Sequence, residues 1–157
     1  MIIMNKHIYI VIFFLLFCVS STFAQSIITP IALNDVQKKE ICSLLEKYHS
    51  STKGICSELK IYKSHLDNFE EIGDYGPMYY GHTYNVNQDG ILIKYNFKSI
   101  DSNKDWQSCE EKFLPQDRSA IYSKYTCSFG FPPSHGFSNR KRKWNHIFDT
   151  ILSIINK

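Results

Sequence analysis

The sequence lacks the short motifs that mark well-known catalytic and metal sites. It contains no Gly-x-Ser-x-Gly and no His-Glu-x-x-His segment, so no serine nucleophile on a strand-to-helix turn and no zinc-binding histidine pair on a helix is indicated. No two cysteines lie two to four residues apart, and no histidine stands near a cysteine in a ligand pattern. We therefore expect no metal and no cofactor.

The chain also lacks a strong charge of either sign, internal repeats and low-complexity tracts. Its 18 lysines and arginines stand against 15 acidic residues, for a net charge of +3. A balance this small indicates neither a nucleic acid nor an acidic substrate as the partner.

Long apolar runs are missing except at the amino end. Lys6 precedes an apolar run from Ile8 to Val19, and small residues follow up to Ala24. This layout is typical of a secretory signal cleaved after Ala24. The run is shorter than the roughly 20 residues that a membrane-spanning helix needs. We therefore expect an exported chain, periplasmic or extracellular, with no membrane span after cleavage and one domain over residues 25–157.

Four cysteines remain after residue 24: Cys42, Cys56, Cys109 and Cys127. An even number in an exported chain predicts two structural disulfides, because the compartment oxidises thiols. Three pairings are possible. We favour Cys42 with Cys56 and Cys109 with Cys127, since each pair closes a short loop.

The stretch from Met78 to Ser99 predicts a β-hairpin around which the rest is organised. Two runs of aromatic and β-branched residues flank the segment 87–90, Asn-Gln-Asp-Gly, where glycine would supply a positive φ. The polar residues from Glu70 to Pro77 would form the connection into this hairpin.

Helical periodicity marks both ends of the remaining chain. Apolar residues recur at three- and four-residue spacing from Asn34 to about Ser50, with Asn34 or Asp35 as the cap, and again from about Asn139 to Asn156. Residues 55–72 fit a helix or a strand, and we favour a strand near 57–64.

Further strands are predicted at Trp106–Phe113 and Ala120–Phe129. The fold class that follows is a two-layer α+β sandwich. Four to five antiparallel strands would carry the N-terminal and C-terminal helices on one face.

Two features suggest a functional surface. Phe131–Phe137 contains adjacent prolines, which lack the N–H that a strand ladder needs, so a loop is expected there. Arg140, Lys141, Arg142 and Lys143 follow directly, and four cations at a helix start would oppose its dipole. The candidate binding residues are therefore Phe131, His135, Phe137, Arg140, Lys141, Arg142 and Lys143. The competing interpretation is that the cations are a solvated run that keeps the helix soluble.

These features favour a small exported module that binds a protein with an acidic surface, as an inhibitor or immunity protein blocks an enzyme. No catalytic residue is assigned. The alternatives are a small secreted hydrolase that uses His82 or His135 as a base, or a carrier of an apolar ligand held between helices and sheet. The oligomeric state is left open.

Overall fold

The structure is a computed structural model that describes residues 28–49, 53–75, 78–100, 107–129 and 134–157. At residues 73–75, 78–80, 127–129 and 134–137 it describes the backbone alone. The predicted signal segment, residues 1–24, lies outside the described residues, and so do Phe131 and the two prolines after it.

The described residues form an α+β sandwich of six strands and two helices. The strands are β1 (Thr29–Pro30), β2 (Gly54–Tyr75), β3 (Met78–Ser99), β4 (Gln107–Phe113), β5 (Ala120–Phe129) and β6 (Ser134–Lys143). The helices are α1 (Asp35–Tyr48) and α2 (Ile147–Ile155). The sheet is antiparallel, and its strands are ordered β1 to β6 as in the sequence. The α+β class is confirmed, with more strands than the four to five expected.

Helix α1 begins where the sequence predicts. Asn34 and Gln37 form a reciprocal capping box, in which the Asn34 side chain accepts from the Gln37 N–H at 2.9 Å and the Gln37 side chain accepts from the Asn34 N–H at 3.0 Å. Two orphan N–H groups of the first turn are thereby satisfied. The apolar stripe of α1 buries Ile41 and Leu45 completely.

The predicted hairpin turn at residues 87–90 is wrong. Strands β2 and β3 are 22 residues long and pair from Gly54 opposite Ser99 out to Tyr75 opposite Met78. The chain therefore reverses between Tyr75 and Met78, and Glu70–Tyr75, expected in a connection, is the end of β2. The strand interpretation of residues 57–64 is confirmed and extends well beyond them.

The segment 87–90 contains a bulge at Asn87 instead of a turn; residues 88–90 remain paired with β2, and Gly90 lies opposite Ser64 without the positive φ expected there. Asn87 has a φ of 47° and lies where the register shifts between the pairs Leu66–Gln88 and Asn68–Asn85. Asparagine tolerates this left-handed conformation better than most residues. A bulge bends the strands and increases their twist. The same local preference that suggests a turn here supports a bend within a continuous strand.

The bent outer half of the β2–β3 hairpin lies over the sheet face opposite the helices. Its residue Ile72 pairs with Asn139 of β6. A small core forms there from Phe69, Leu114, Ala120 and Tyr122. On the other face both helices pack on the main core. That core includes Ile41, Leu45, Phe148, Ile151 and Ile154 of the helices and Ile61, Ile93, Phe113, Ile121 and Tyr125 of the sheet.

The C-terminal helix is shorter than predicted. Residues 139–143 belong to β6, where Arg140 pairs with Ser123 and Lys143 with Ala120, and α2 begins only at Ile147. As a strand, the cationic run no longer opposes a helix dipole. Residues 134–137, expected in a loop, are also in β6. Neither described helix is long and apolar enough to cross a membrane.

One predicted disulfide is confirmed. Cys42 of α1 and Cys56 of β2 are bonded, with their Cα atoms 5.3 Å apart. Cys109 is buried on β4 opposite Tyr125, and the backbone of Cys127 lies on β5 opposite Gln107. The two cysteines are thus on adjacent strands and two positions apart. Because the Cys127 side chain is outside the described residues, their pairing stays a prediction.

Candidate functional site

The predicted cationic run lies on β6, and the alternation of a strand divides it between the two sheet faces. The guanidinium carbon of Arg142 lies 4.9 Å from the ring centre of Tyr125 and 5.7 Å from that of Tyr48, on the helix side. The ammonium of Lys141 lies 4.5 Å from the ring centre of Tyr84, on the hairpin side. The four charges therefore do not form one continuous patch.

Arg140, Lys141 and Lys143 are nevertheless exposed, whereas Arg142 is half-buried. They lie on a strand that pairs with β5 along its length and, among the described residues, forms one ladder pair with β2, Ile72 opposite Asn139. Beside that pair, the Lys141 N–H donates to the Glu71 carboxylate at 3.4 Å. The side of residues 140–143 that faces away from β5 is therefore a strand edge in the described part of the chain.

Arg142 faces a buried carboxylate that the sequence did not suggest. Glu111 of β4 is fully buried and accepts hydrogen bonds from three hydroxyls: Ser123 at 2.5 Å, Tyr125 at 2.6 Å and Tyr95 at 3.2 Å. Burial raises the pKa of Glu111, while these hydrogen bonds and the positive charge of Arg142 act to lower it. The carboxylate is thus held in the core by donors on three sides.

His49, just after α1, continues this network. Its Nε2 lies 2.6 Å from the Tyr95 hydroxyl, and its ring stacks on Phe97 with the ring centres 4.4 Å apart. Because Tyr95 gives its one hydroxyl proton to Glu111, Nε2 of His49 is the donor to the Tyr95 oxygen. Burial, and then the charge of Arg142, lowers the pKa of His49 to about 4. His49 is therefore neutral at physiological pH.

The network has the geometry of a structural cluster. A catalytic serine must be accessible to its substrate and needs a base beside it. The Ser123 hydroxyl is fully buried and donates to Glu111. The imidazole of His49 contacts the Tyr95 hydroxyl. The sequence does indicate the sheet face on which Glu111 and Ser123 lie, because each has apolar residues two positions away on the same face: Cys109 and Phe113 on β4, Ile121 and Tyr125 on β5.

The remaining predicted site residues are spread along the hairpin and β6. His82 is exposed on β3 opposite Glu71. The backbones of His135 and Phe137 lie on β6 opposite Ser128 and Thr126, with side chains outside the described residues. Phe131 lies outside them entirely.

Trp144, directly after the cationic run of β6, packs on the core. Its ring centre is 6.0 Å from that of Phe113 and 6.2 Å from that of Phe148. Among the described residues, no group of three or more histidine, cysteine or acidic side chains could hold a metal ion.

The chain matches no protein-family model, no curated protein and no solved structure. Its function is therefore inferred from its own surfaces and side chains.

Proposed function

We propose that the protein is an exported protein-binding module that blocks a partner enzyme, and that the edge of β6 contacts an acidic surface of that partner. The observation that carries the proposal is the placement of Arg140, Lys141 and Lys143 as exposed cations on a strand edge. The Cys42–Cys56 disulfide fits export, since such bonds persist in oxidising compartments.

A strand edge offers two kinds of contact at once. Apart from the Lys141 N–H, which donates to Glu71, its outer N–H and C=O groups can pair with an extended segment of a partner, which gives affinity. Cations beside that edge attract acidic residues, raise the association rate and fix the register of the added strand. Of the three exposed cations, Arg140 and Lys143 suit this role best. Lys141 already has ring contacts with Tyr84 and Tyr122.

The competing interpretation is that the cations only protect the strand edge from aggregation. Lysines on an edge strand discourage edge-to-edge pairing between copies of a protein, with no partner involved. The two interpretations differ in their consequence. Reversing the charges weakens a specific complex in the first case, whereas in the second it leaves partner binding unchanged.

The test is affinity capture of a partner from the source organism, followed by association kinetics with the purified partner at 50, 150 and 300 mM salt. The double variant Arg140→Glu/Lys143→Glu should associate at least tenfold more slowly at 50 mM salt and show a flatter salt dependence. The matched control is Lys39→Glu/Lys60→Glu, which has the same charge change at exposed positions on α1 and β2.

Inhibition is tested on the captured partner's own enzymatic activity, with the same variants. Unchanged association by Arg140→Glu/Lys143→Glu, or equal slowing by the control pair, would contradict the assignment of the β6 edge. A captured enzyme whose turnover is unaffected by saturating protein would contradict the blocking role.

A further inference from the structure

A cavity of about 270 Å³ lies between the outer half of the β2–β3 hairpin and the sheet face opposite the helices. Strand β2 contributes Leu66 and Phe69 to its wall, and the sheet contributes Leu92, Lys112, Tyr122 and Lys124. The bend at the Asn87 bulge creates this space, because it brings the hairpin back over the sheet. The cavity lies on the opposite sheet face from the Glu111 network, and Asn139 of β6, next to Arg140, is part of its wall.

Lys112 is the unusual side chain of this cavity. It is 6% exposed, and its Nζ donates to the backbone carbonyl of Ser64, which also lines the cavity. An ammonium has three donors, and within the described residues no ion pair joins Lys112 to a carboxylate. Glu110, on the same wall, is paired with Lys94 at 3.1 Å.

A buried ammonium without a counter-ion is costly. Burial accordingly lowers the pKa of Lys112 to about 8, although the charge of Asp89 acts in the opposite direction. An anion entering the cavity would supply the missing partner and the missing hydrogen-bond acceptors.

The rest of the wall combines apolar and polar side chains. The apolar and aromatic ones are Leu66, Phe69, Leu92 and Tyr122, and the polar ones include His65, Asn68, Glu70, Lys124 and Asn139. Phe69 and Tyr122 are nearly buried, with their ring centres 4.9 Å apart, and Leu92 lies beside them on the sheet. Small-molecule sites combine apolar side chains with placed polar groups, and this volume lies just below the usual range for such sites.

We propose that this cavity binds a small organic carboxylate, whose charged group pairs with Lys112 and whose aromatic or branched body packs on Phe69, Leu92 and Tyr122. Ligand binding here does not require the cations of the proposed protein-binding edge. The site also differs from the apolar-ligand carrier considered from the sequence, because its ligand is anionic and it lies on the face without helices.

The test compares benzoate with benzamide, its neutral analogue of the same shape, by calorimetry and by NMR titration of the purified chain. Benzoate should bind saturably, at least tenfold more tightly than benzamide, and should shift signals of Phe69, Leu92 and Tyr122. Lys112→Met should weaken benzoate at least tenfold. Lys60→Met, at an exposed lysine on β2, is the matched control and should leave binding unchanged.

Methionine keeps most of the lysine stem, so Lys112→Met should fold; a thermal unfolding curve checks this. If it does not fold, the wild-type comparison of benzoate with benzamide and the mapped NMR shifts decide alone. The proposal is overturned if benzoate does not bind, if benzamide binds equally well, if folded Lys112→Met binds benzoate like the wild type, or if the shifts map to exposed lysines instead of the cavity.

Discussion

Glu111 and Ser123 are direct cross-strand neighbours on β4 and β5, and their side chains are hydrogen-bonded at 2.5 Å although both are fully buried. Both lie on the face that the helices cover. A carboxylate is stable at this position because three hydroxyls donate to it and Arg142 supplies an opposite charge. This cluster also accounts for the inward direction of one of the four cations of β6.

Removal of the Glu111 carboxylate should destabilise the fold strongly. Glu111→Ala leaves three hydroxyls without their acceptor and removes the negative charge that opposes Arg142, so we expect a loss of about 3 to 5 kcal/mol in the free energy of unfolding. Glu111→Gln, which keeps the shape and one acceptor oxygen, should cost less. Urea denaturation measures both. Glu110→Gln, at a partly exposed ion pair with Lys94, is the control and should cost less than about 1 kcal/mol. A loss below 1 kcal/mol for Glu111→Ala would show that the network is not important for stability.

Acid should weaken the fold through His49. Its pKa is about 4 in the folded state and 6.5 ordinarily, so the unfolded chain binds more protons between these values and stability falls as the pH decreases from 6.5 towards 4. The contribution of Glu111 to stability changes with pH in the opposite direction, because the pKa of Glu111 is raised in the folded state. The measurement is therefore the difference between the wild type and His49→Gln, which retains Glu111.

Between pH 7 and pH 4 the wild type should lose about 2 to 3 kcal/mol more than His49→Gln does. Urea unfolding at half-unit pH steps measures this difference. Parallel stability curves for the two proteins would show that His49 is not held in its neutral form.

Substitutions at two nearby residues of the hairpin bend should differ in their effect on stability. A Cβ at Gly90 would lie 2.7 Å from Leu114 Cδ2 and also against the Phe113 carbonyl, so Gly90→Ala should destabilise the protein by about 1 to 3 kcal/mol. Asn87 has a φ of 47°, which glycine adopts freely, and its side chain makes one exposed hydrogen bond to His65, so Asn87→Gly should cost less than about 1 kcal/mol. Thermal unfolding compares the two. Equal effects would contradict the separate roles of the two positions.

The disulfide between α1 and β2 should contribute measurably to stability. Cys42 and Cys56 are 14 residues apart in sequence, and a loop of this size corresponds to about 3 kcal/mol in the chain-entropy account. The double variant Cys42→Ala/Cys56→Ala should lose about that amount in urea denaturation. Intact mass after alkylation without reduction checks the bond directly, since a modified Cys42 or Cys56 in the native protein would show that it is open.

Local patterns in the sequence were sufficient for several elements. Four predicted features depend on residues close to one another in the chain: the cap of α1 at Asn34, the apolar stripe of α1, the strand at Ala120–Phe129 and the Cys42–Cys56 bond. The antiparallel α+β class also follows from the order of such elements.

Local sequence did not decide whether the segment that contains Asn87 and Gly90 forms a turn or stays in a strand. Both a hairpin turn and a bulge need a residue that tolerates a left-handed conformation, and only pairing with β2 across 22 residues selects the bulge. The apolar stripe that follows the cationic run likewise predicts a helix that includes the run. Pairing with β5 makes it a strand and sends Arg142 and Lys141 to opposite faces.

What the sequence determined by itself, then, was the set of local elements and the nearby cysteine pair, because capping, periodicity and short loop closure depend on neighbouring residues. The tertiary structure alone decided the strand register, the bend of the hairpin and the burial of Glu111 and Lys112. These last features depend on contacts between distant segments. A glutamate or lysine in an alternating strand carries no local sign of whether a helix, a hairpin or water will cover it.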